Sequence, residues 1–93
     1  MIQEKNFIHN QQKKQFQLQL DSGLAIVDYE MRDNVMYLIH SEVPYDLRGK
    51  SIGNTLVEKT FEYIEHHNIQ AVAICRFIKL VAQRSERWKN IIQ

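Results

Sequence analysis

The sequence predicts an α+β fold, a mixed and mainly antiparallel sheet flanked by helices. Three observations carry that expectation. Through the first half of the chain, apolar residues alternate with polar ones and turn residues separate the runs, the mark of short strands joined as hairpins. From Ile52 onward the apolar spacing lengthens to that of an amphipathic helix. A short apolar run, Ala71 to Cys75, then divides two helical stretches, and a strand reached through a helix suits a parallel crossover. The expected order is β-β-β-α-β-α in one domain spanning residues 1–93, because a chain of 93 residues has room for a single core.

Residues 1–15 read as a polar lead-in with one apolar patch, Phe7-Ile8. Strict alternation then begins: Phe16, Leu18 and Leu20 point one way, Gln17 and Gln19 the other. Asp21-Ser22-Gly23 signals a turn, and a second strand runs from Leu24 to Met31. After a turn at Asp33-Asn34, a third strand from Val35 to Val43 places Val35, Tyr37, Ile39 and Val43 on one face and Met36 and Leu38 on the other. Apolar residues on both faces predict a central strand covered on both sides. Ile52, Leu56, Val57, Phe61 and Ile64 make the apolar face of the helix, which His66-His67-Asn68 ends. Beyond Cys75, Phe77, Leu80, Val81, Trp88, Ile91 and Ile92 are expected helical anchors, with Ser85 dividing the segment in two.

Composition narrows the function classes. One cysteine excludes an intrachain disulfide framework and a multi-cysteine zinc site. A net charge of +1 exerts no global pull toward nucleic acid or membrane. No apolar run approaches the roughly 18–20 residues of a membrane span, and the Gln- and Lys-rich start lacks the apolar stretch of a secretory signal. The expectation is a cytoplasmic protein with no metal, no nucleic-acid partner and no membrane partner. A core this small would gain from an oligomer or a bound ligand.

Proline and glycine are concentrated in one loop. Of one proline and three glycines, Pro44, Gly49 and Gly53 fall between the third strand and the helix. The loop also holds Arg48, Lys50, Ser51 and Asn54. A helix start offers unpaired N–H groups and partial positive charge, which favour phosphate. The plain alternative is a basic turn with Ser51 as N-cap. Gly49-Lys50-Ser51 imitates the end of a nucleotide-binding P-loop, but that motif needs a glycine where Pro44 stands.

A different phosphate loop fits better. Arg48-Gly49-Lys50-Ser51-Ile52-Gly53 resembles the acetyl-CoA pyrophosphate loop of the GNAT N-acetyltransferase superfamily, with Ser51 in place of the central glycine. His40-Ser41-Glu42-Val43-Pro44, then Leu47-Arg48-Gly49-Lys50, then Cys75 are similar in order and spacing to a subgroup of small stand-alone GNAT proteins. The resemblance covers roughly residues 16–90. It departs after Cys75, where Arg76, Val81, Ser85 and Glu86 replace the small, proline, tyrosine and histidine residues of the usual pattern.

The resemblance implies the minimal GNAT-like acyl-CoA N-acyltransferase fold and transfer of an acetyl group from acetyl-CoA to an amine acceptor. It implies cofactor contacts at Val43, Arg48, Gly49, Lys50, Ser51, Ile52, Gly53 and Asn54. It makes Cys75, Glu42 and His40 the candidate catalytic residues. Glu42 and His40 lie two apart on one strand face, and either is placed to act as base. No tyrosine follows Tyr63, so Cys75 is the candidate acid for the departing thiolate, or an acetyl carrier. Against these stand structural alternatives: Glu42 paired with Arg48 or Lys50, His40 hydrogen-bonded in the sheet, and Cys75 as a small buried hydrophobe. A GNAT-like module that binds CoA without transferring acetyl is the alternative function.

Charge divides along the chain. Phe16 to Asp46 holds six acids and one base, whereas Arg76 to Gln93 holds five bases and one acid. A basic tail suits CoA phosphates and acidic strands suit a cationic amine, but a solvated helix face and a solvated sheet edge are the simpler explanation.

Overall fold

The computed structural model describes residues 6–21, 23–49 and 51–93. A five-stranded sheet runs in the order β1 (Phe7–Asn10), β2 (Gln15–Leu20), β3 (Gly23–Arg32), β4 (Val35–Glu42) and β5 (Gln70–Ala73). Neighbours are antiparallel except β4 and β5, which are parallel. A single 3-10 turn (Tyr45–Leu47) follows β4 and leads to α1 (Ile52–His66), while α2 (Arg76–Gln83) and α3 (Glu86–Lys89) follow β5. This is the expected α+β fold, with a mixed, mainly antiparallel sheet and helices against it.

The strand that sequence alone misses is β1. Phe7–Asn10 pairs with β2 through a tight return at Gln11–Lys14, closed by Lys14 N–H donating to the Gln11 carbonyl at 3.2 Å. Four residues carry too little alternation to stand out, and long-range pairing with β2 supplies the strand. The β3–β4 hairpin turns at Asp33 and Asn34, both left-handed with φ of 52° and 67°, the geometry of a two-residue hairpin turn that favours Asn and Asp.

The core lies between the sheet and the helices. Phe16 and Leu18 of β2, Ala25, Val27 and Tyr29 of β3, and Met36 and Leu38 of β4 are buried against Leu56, Val57, Phe61 and Ile64 of α1. Ile78, Val81 and Ala82 of α2 and Trp88 of α3 complete it, with the Trp88 ring 5.4 Å from Phe61. Leu80, expected as an anchor, is exposed, and Ile78 takes its place. Ser85 divides the last helices, its Oγ accepting from the Arg87 N–H. Helix α1 ends at a left-handed Asn68, and the Ile69 N–H reaches back to the Ile64 carbonyl at 3.0 Å.

β4 is central, yet it is not covered on both sides. Val35 and Tyr37 are only half-buried, and Ile39 is exposed. The other face of the sheet is held by polar side chains: Gln17 donates to Gln15, and Gln15 donates to Asp28, both at 2.9 Å. Those bonds let Gln17 be buried at 5% exposure without an unsatisfied amide.

Candidate functional site

Two irregularities in β4 make the site. The first is a bulge. Tyr29 of β3 pairs with Leu38 and Asp28 pairs with His40, so Ile39 is an extra residue in β4. An extra residue reverses the faces of everything beyond it. Met36 and Leu38 point into the core, and past the bulge Ser41 and Val43 take over that side. Ser41 lies opposite buried Val27, and Val43 packs on the core. The expectation that Val43 shares a face with Val35 and Tyr37 is therefore corrected. His40 and Glu42 remain on one face, as expected, and it is the exposed face of the sheet.

The second irregularity is a splay. The β4–β5 ladder stops at Leu38 and Ala73. There the Leu38 carbonyl accepts from both Ile74 N–H and Cys75 N–H, at 2.9 and 3.0 Å, and the chain turns into α2. β4 continues to Glu42 with no strand on that side among the described residues. The β5 strand thus ends before the expected Cys75, which instead sits at the N-terminal boundary of α2.

A cleft of about 640 Å³ opens along this part of β4. His40, Ser41, Glu42 and Val43 line one side, Leu47, Arg48 and Gly49 the loop end, and Ser51, Ile52, Gly53 and Asn54 the start of α1, with Phe77 opposite. The first-turn N–H groups of α1 have no helical carbonyl to bond. Ser51 is the N-cap by position, but its side chain makes no capping bond; the Ser51 carbonyl instead accepts from the Thr55 N–H and hydroxyl, each at 3.0 Å. The N-cap alternative for the serine side chain is thus not what the fold uses.

The loop's backbone explains its residue types. Gly49 has φ +81° and Ser51 φ +61°, so left-handed turns flank position 50. Ser51, the residue standing where the resembling loops carry glycine, adopts the conformation that favours glycine. Gly53 serves close packing: a Cβ there would lie 3.3 Å from the Phe77 ring and 3.4 Å from Val43 Cγ2. Gly23 and Pro44, remote in sequence, meet here too, since a Cβ on Gly23 would come within 2.8 Å of the proline ring. Arg48 folds back, its Nε donating to the Val43 carbonyl at 3.3 Å and its guanidinium lying 5.7 Å from the Tyr45 ring centroid. Glu42 has no ion pair among the described residues. Lys50, an expected cofactor contact, lies outside the described residues.

Cys75 is half-buried, and its sulfur lies 3.4 Å from Ser41 Oγ. Burial pushes the thiol up, but hydrogen bonds from the Ser41 side chain and from the backbone of Ile78, Phe77 and Ser41 outweigh it and hold the thiol below its ordinary value. Those hydrogen bonds stabilise the thiolate that remains when the thiol gives up its proton. Seven of the eight expected cofactor residues line one cleft, as do His40 and Glu42. Cys75 is not among its lining residues. Ser41, Leu47 and Phe77 join the site although sequence reasoning did not select them as contacts. Each left a trace in the sequence, Ser41 within the His40–Pro44 segment, Leu47 within the Leu47–Lys50 segment and Phe77 as an expected helical anchor, but none of them as a contact.

A second groove, of about 750 Å³, lies at the other end of α1. It is lined by Phe7, Tyr63, His66 and His67 with Lys59, Glu62, Glu65 and Arg87, of which Arg87 and Glu65 form an ion pair. It contains none of the candidate catalytic or cofactor residues. Among the described residues, no cluster of His, Cys, Asp or Glu is arranged to hold a metal ion, and no helix is long and apolar enough to cross a membrane.

This architecture has a solved counterpart. The solution structure of a protein from Staphylococcus aureus, described as a "GCN5-like putative N-acetyltransferase", superposes with a TM-score of 0.71 over 94% of this chain and 86% of that one, at 21% sequence identity. At that identity the likeness establishes the fold. The family is established by the sequence itself, which matches the model of the GCN5-related N-acetyl-transferase family over residues 15–91. With sheet, splay and loop in place, this chain belongs to the GCN5-related N-acetyltransferase family.

Proposed function

We propose that the protein transfers an acetyl group from acetyl-CoA to an amine acceptor. The observation that carries this reading is the splay of β4 from β5, which opens directly onto the uncapped start of α1. An edge of β4 that β5 no longer pairs suits an extended, amide-bearing chain such as pantetheine. A helix start with no side-chain cap suits the pyrophosphate at its end.

In this reading the pyrophosphate meets the N–H groups of the Arg48–Asn54 loop, Lys50 and Ser51 included, and Arg48 adds its charge. The backbone near Glu42 and Val43 pairs with pantetheine and polarises the thioester carbonyl. Fixed donors there stabilise the oxyanion that forms on attack. Glu42 and His40 approach the amine from the exposed face of the sheet, where either accepts its proton directly or through water. Cys75 supplies the proton to the departing CoA thiolate.

The test combines binding with chemistry. Calorimetry should show saturable acetyl-CoA binding, and a panel of amines should show acceptor-dependent release of CoA. Cys75→Ala should abolish turnover while keeping CoA affinity. No binding up to millimolar acetyl-CoA would sink the reading. Binding without transfer to any amine would instead favour a CoA-binding module.

A further inference from the structure

Ser41 stands between the two parts of the site. It lines the cleft, and its Oγ lies 3.4 Å from the Cys75 sulfur. Cys75 does not line the cleft. A hydrogen-bonded route from Cys75 to a molecule in the cleft runs through Ser41, the hydroxyl in place. The bulge at Ile39 puts it there. In an unbroken strand the side chain of His40 would follow Leu38 toward the helices, and Ser41 would face away from Cys75.

We propose that Ser41 is the residue through which Cys75 acts on the cleft: its hydroxyl fixes the sulfur and carries the proton from the thiol to the departing CoA sulfur. This rests on the acetyltransferase reading above. When the acetyl C–S bond breaks, its electron pair stays on the CoA sulfur. The Ser41 O–H gives its proton to that sulfur while the Cys75 S–H proton moves to Ser41 Oγ. CoA leaves as a thiol, Ser41 is unchanged, and Cys75 is left as thiolate. The proton shed by the amine as it becomes an amide returns Cys75 to the thiol through solvent. The net reaction is amine plus acetyl-CoA giving amide plus CoA.

The surroundings suit a sulfur that must gain and lose a proton. Ser41 faces it from β4, and the backbone of Phe77 and Ile78 faces it from α2. Among the described residues no charged side chain contributes to its ionisation. Ser41 is the one side chain that does, so removing its hydroxyl acts on the thiol without disturbing an ion pair.

The experiment compares Ser41→Thr with Ser41→Val in the full chain. The two replacements share a shape and suit a strand, and only threonine keeps the hydroxyl. Because the chain has one cysteine, alkylation by iodoacetamide across pH reports Cys75 alone, with no acetyl-CoA present. Ser41→Val should move the alkylation profile to higher pH and slow alkylation near neutrality by about three- to tenfold. It should also lower turnover by tenfold or more while CoA affinity stays within about twofold. Ser41→Thr should restore both readouts. A valine variant with the wild-type alkylation profile, or with wild-type turnover, overturns the proposal. If Cys75→Ala keeps full turnover, the role given to Cys75 fails and the relay fails with it. If Cys75→Ala is inactive and Ser41→Val is not, the relay alone fails. Should valine prevent folding, Ser41→Ala removes the same hydroxyl and is read the same way.

Discussion

Ser51→Gly should make the protein more stable, an unusual expectation for a substitution at a ligand-facing loop. Ser51 holds φ +61° and ψ +15°, and a left-handed conformation costs a residue with a Cβ roughly 1–2 kcal/mol. Glycine removes that cost, and its greater freedom in the unfolded chain takes back roughly 0.5–1 kcal/mol. The serine side chain makes no capping bond, so no such bond is lost, and glycine is itself an acceptable N-cap. The net gain is about 0.5–1 kcal/mol, or an increase in Tm of roughly 2–8 °C for a domain of this size. Gly49→Ala is the mirror experiment. Gly49 has φ +81° and nothing within 4 Å of where a Cβ would sit, so the loss of about 0.5–1 kcal/mol there is purely conformational. Thermal and urea unfolding of the two variants measure both. A Tm for Ser51→Gly at or below wild type would refute the argument that the loop's second turn is strained.

Three further outcomes follow from the packing and the ionisation. Gly23→Ala should lose about 1–3 kcal/mol in urea denaturation, because the new methyl would come within 2.8 Å of the Pro44 ring; an unchanged midpoint would show that Pro44 yields freely. Trp88→Ala should lose about 3–5 kcal/mol, since Trp88 is only 3% exposed and packs on Phe61; a loss under about 1 kcal/mol would mean that α3 is not part of the core. Burial, and then His67, hold His9 below its ordinary value of 6.5. The unfolded chain therefore takes up the proton first as pH falls, so His9's contribution to stability is present above pH 6.5 and is lost as pH drops through its lowered folded value. His9→Gln should flatten that acid-side decline in urea midpoints, and an identical slope would exclude His9 as its source.

The helix face of α1, the parallel crossover and the break at Ser85 were legible because each is written in local spacing or a cap. The loop at Arg48–Asn54 was legible because glycine, proline and charge cluster there. The bulge at Ile39 was not. Isoleucine and valine fit either face, so the alternation from Val35 to Val43 reads smoothly across a residue that the β3–β4 register skips. That concealed reversal turns Val43 to the core face and brings Ser41 beside Cys75, neither of which the alternation alone reveals. β1 was hidden for a different reason: its pairing with β2, not its own composition, makes it a strand. The two-sided cover expected for β4 failed because Val35 and Tyr37 on the second face are only half-buried beside charged cross-strand neighbours, Arg32 and Glu30.

The central claim is that the cleft between the free edge of β4 and the start of α1 receives acetyl-CoA, and that the larger groove at the far end of α1 does not. Amide chemical shifts followed by NMR during titration with acetyl-CoA test this residue by residue. The account predicts the largest saturable changes at His40–Val43 and Ile52–Asn54, with little change at Tyr63, His66 and His67. Changes centred on Tyr63 and His67, with the α1 start unmoved, would contradict it.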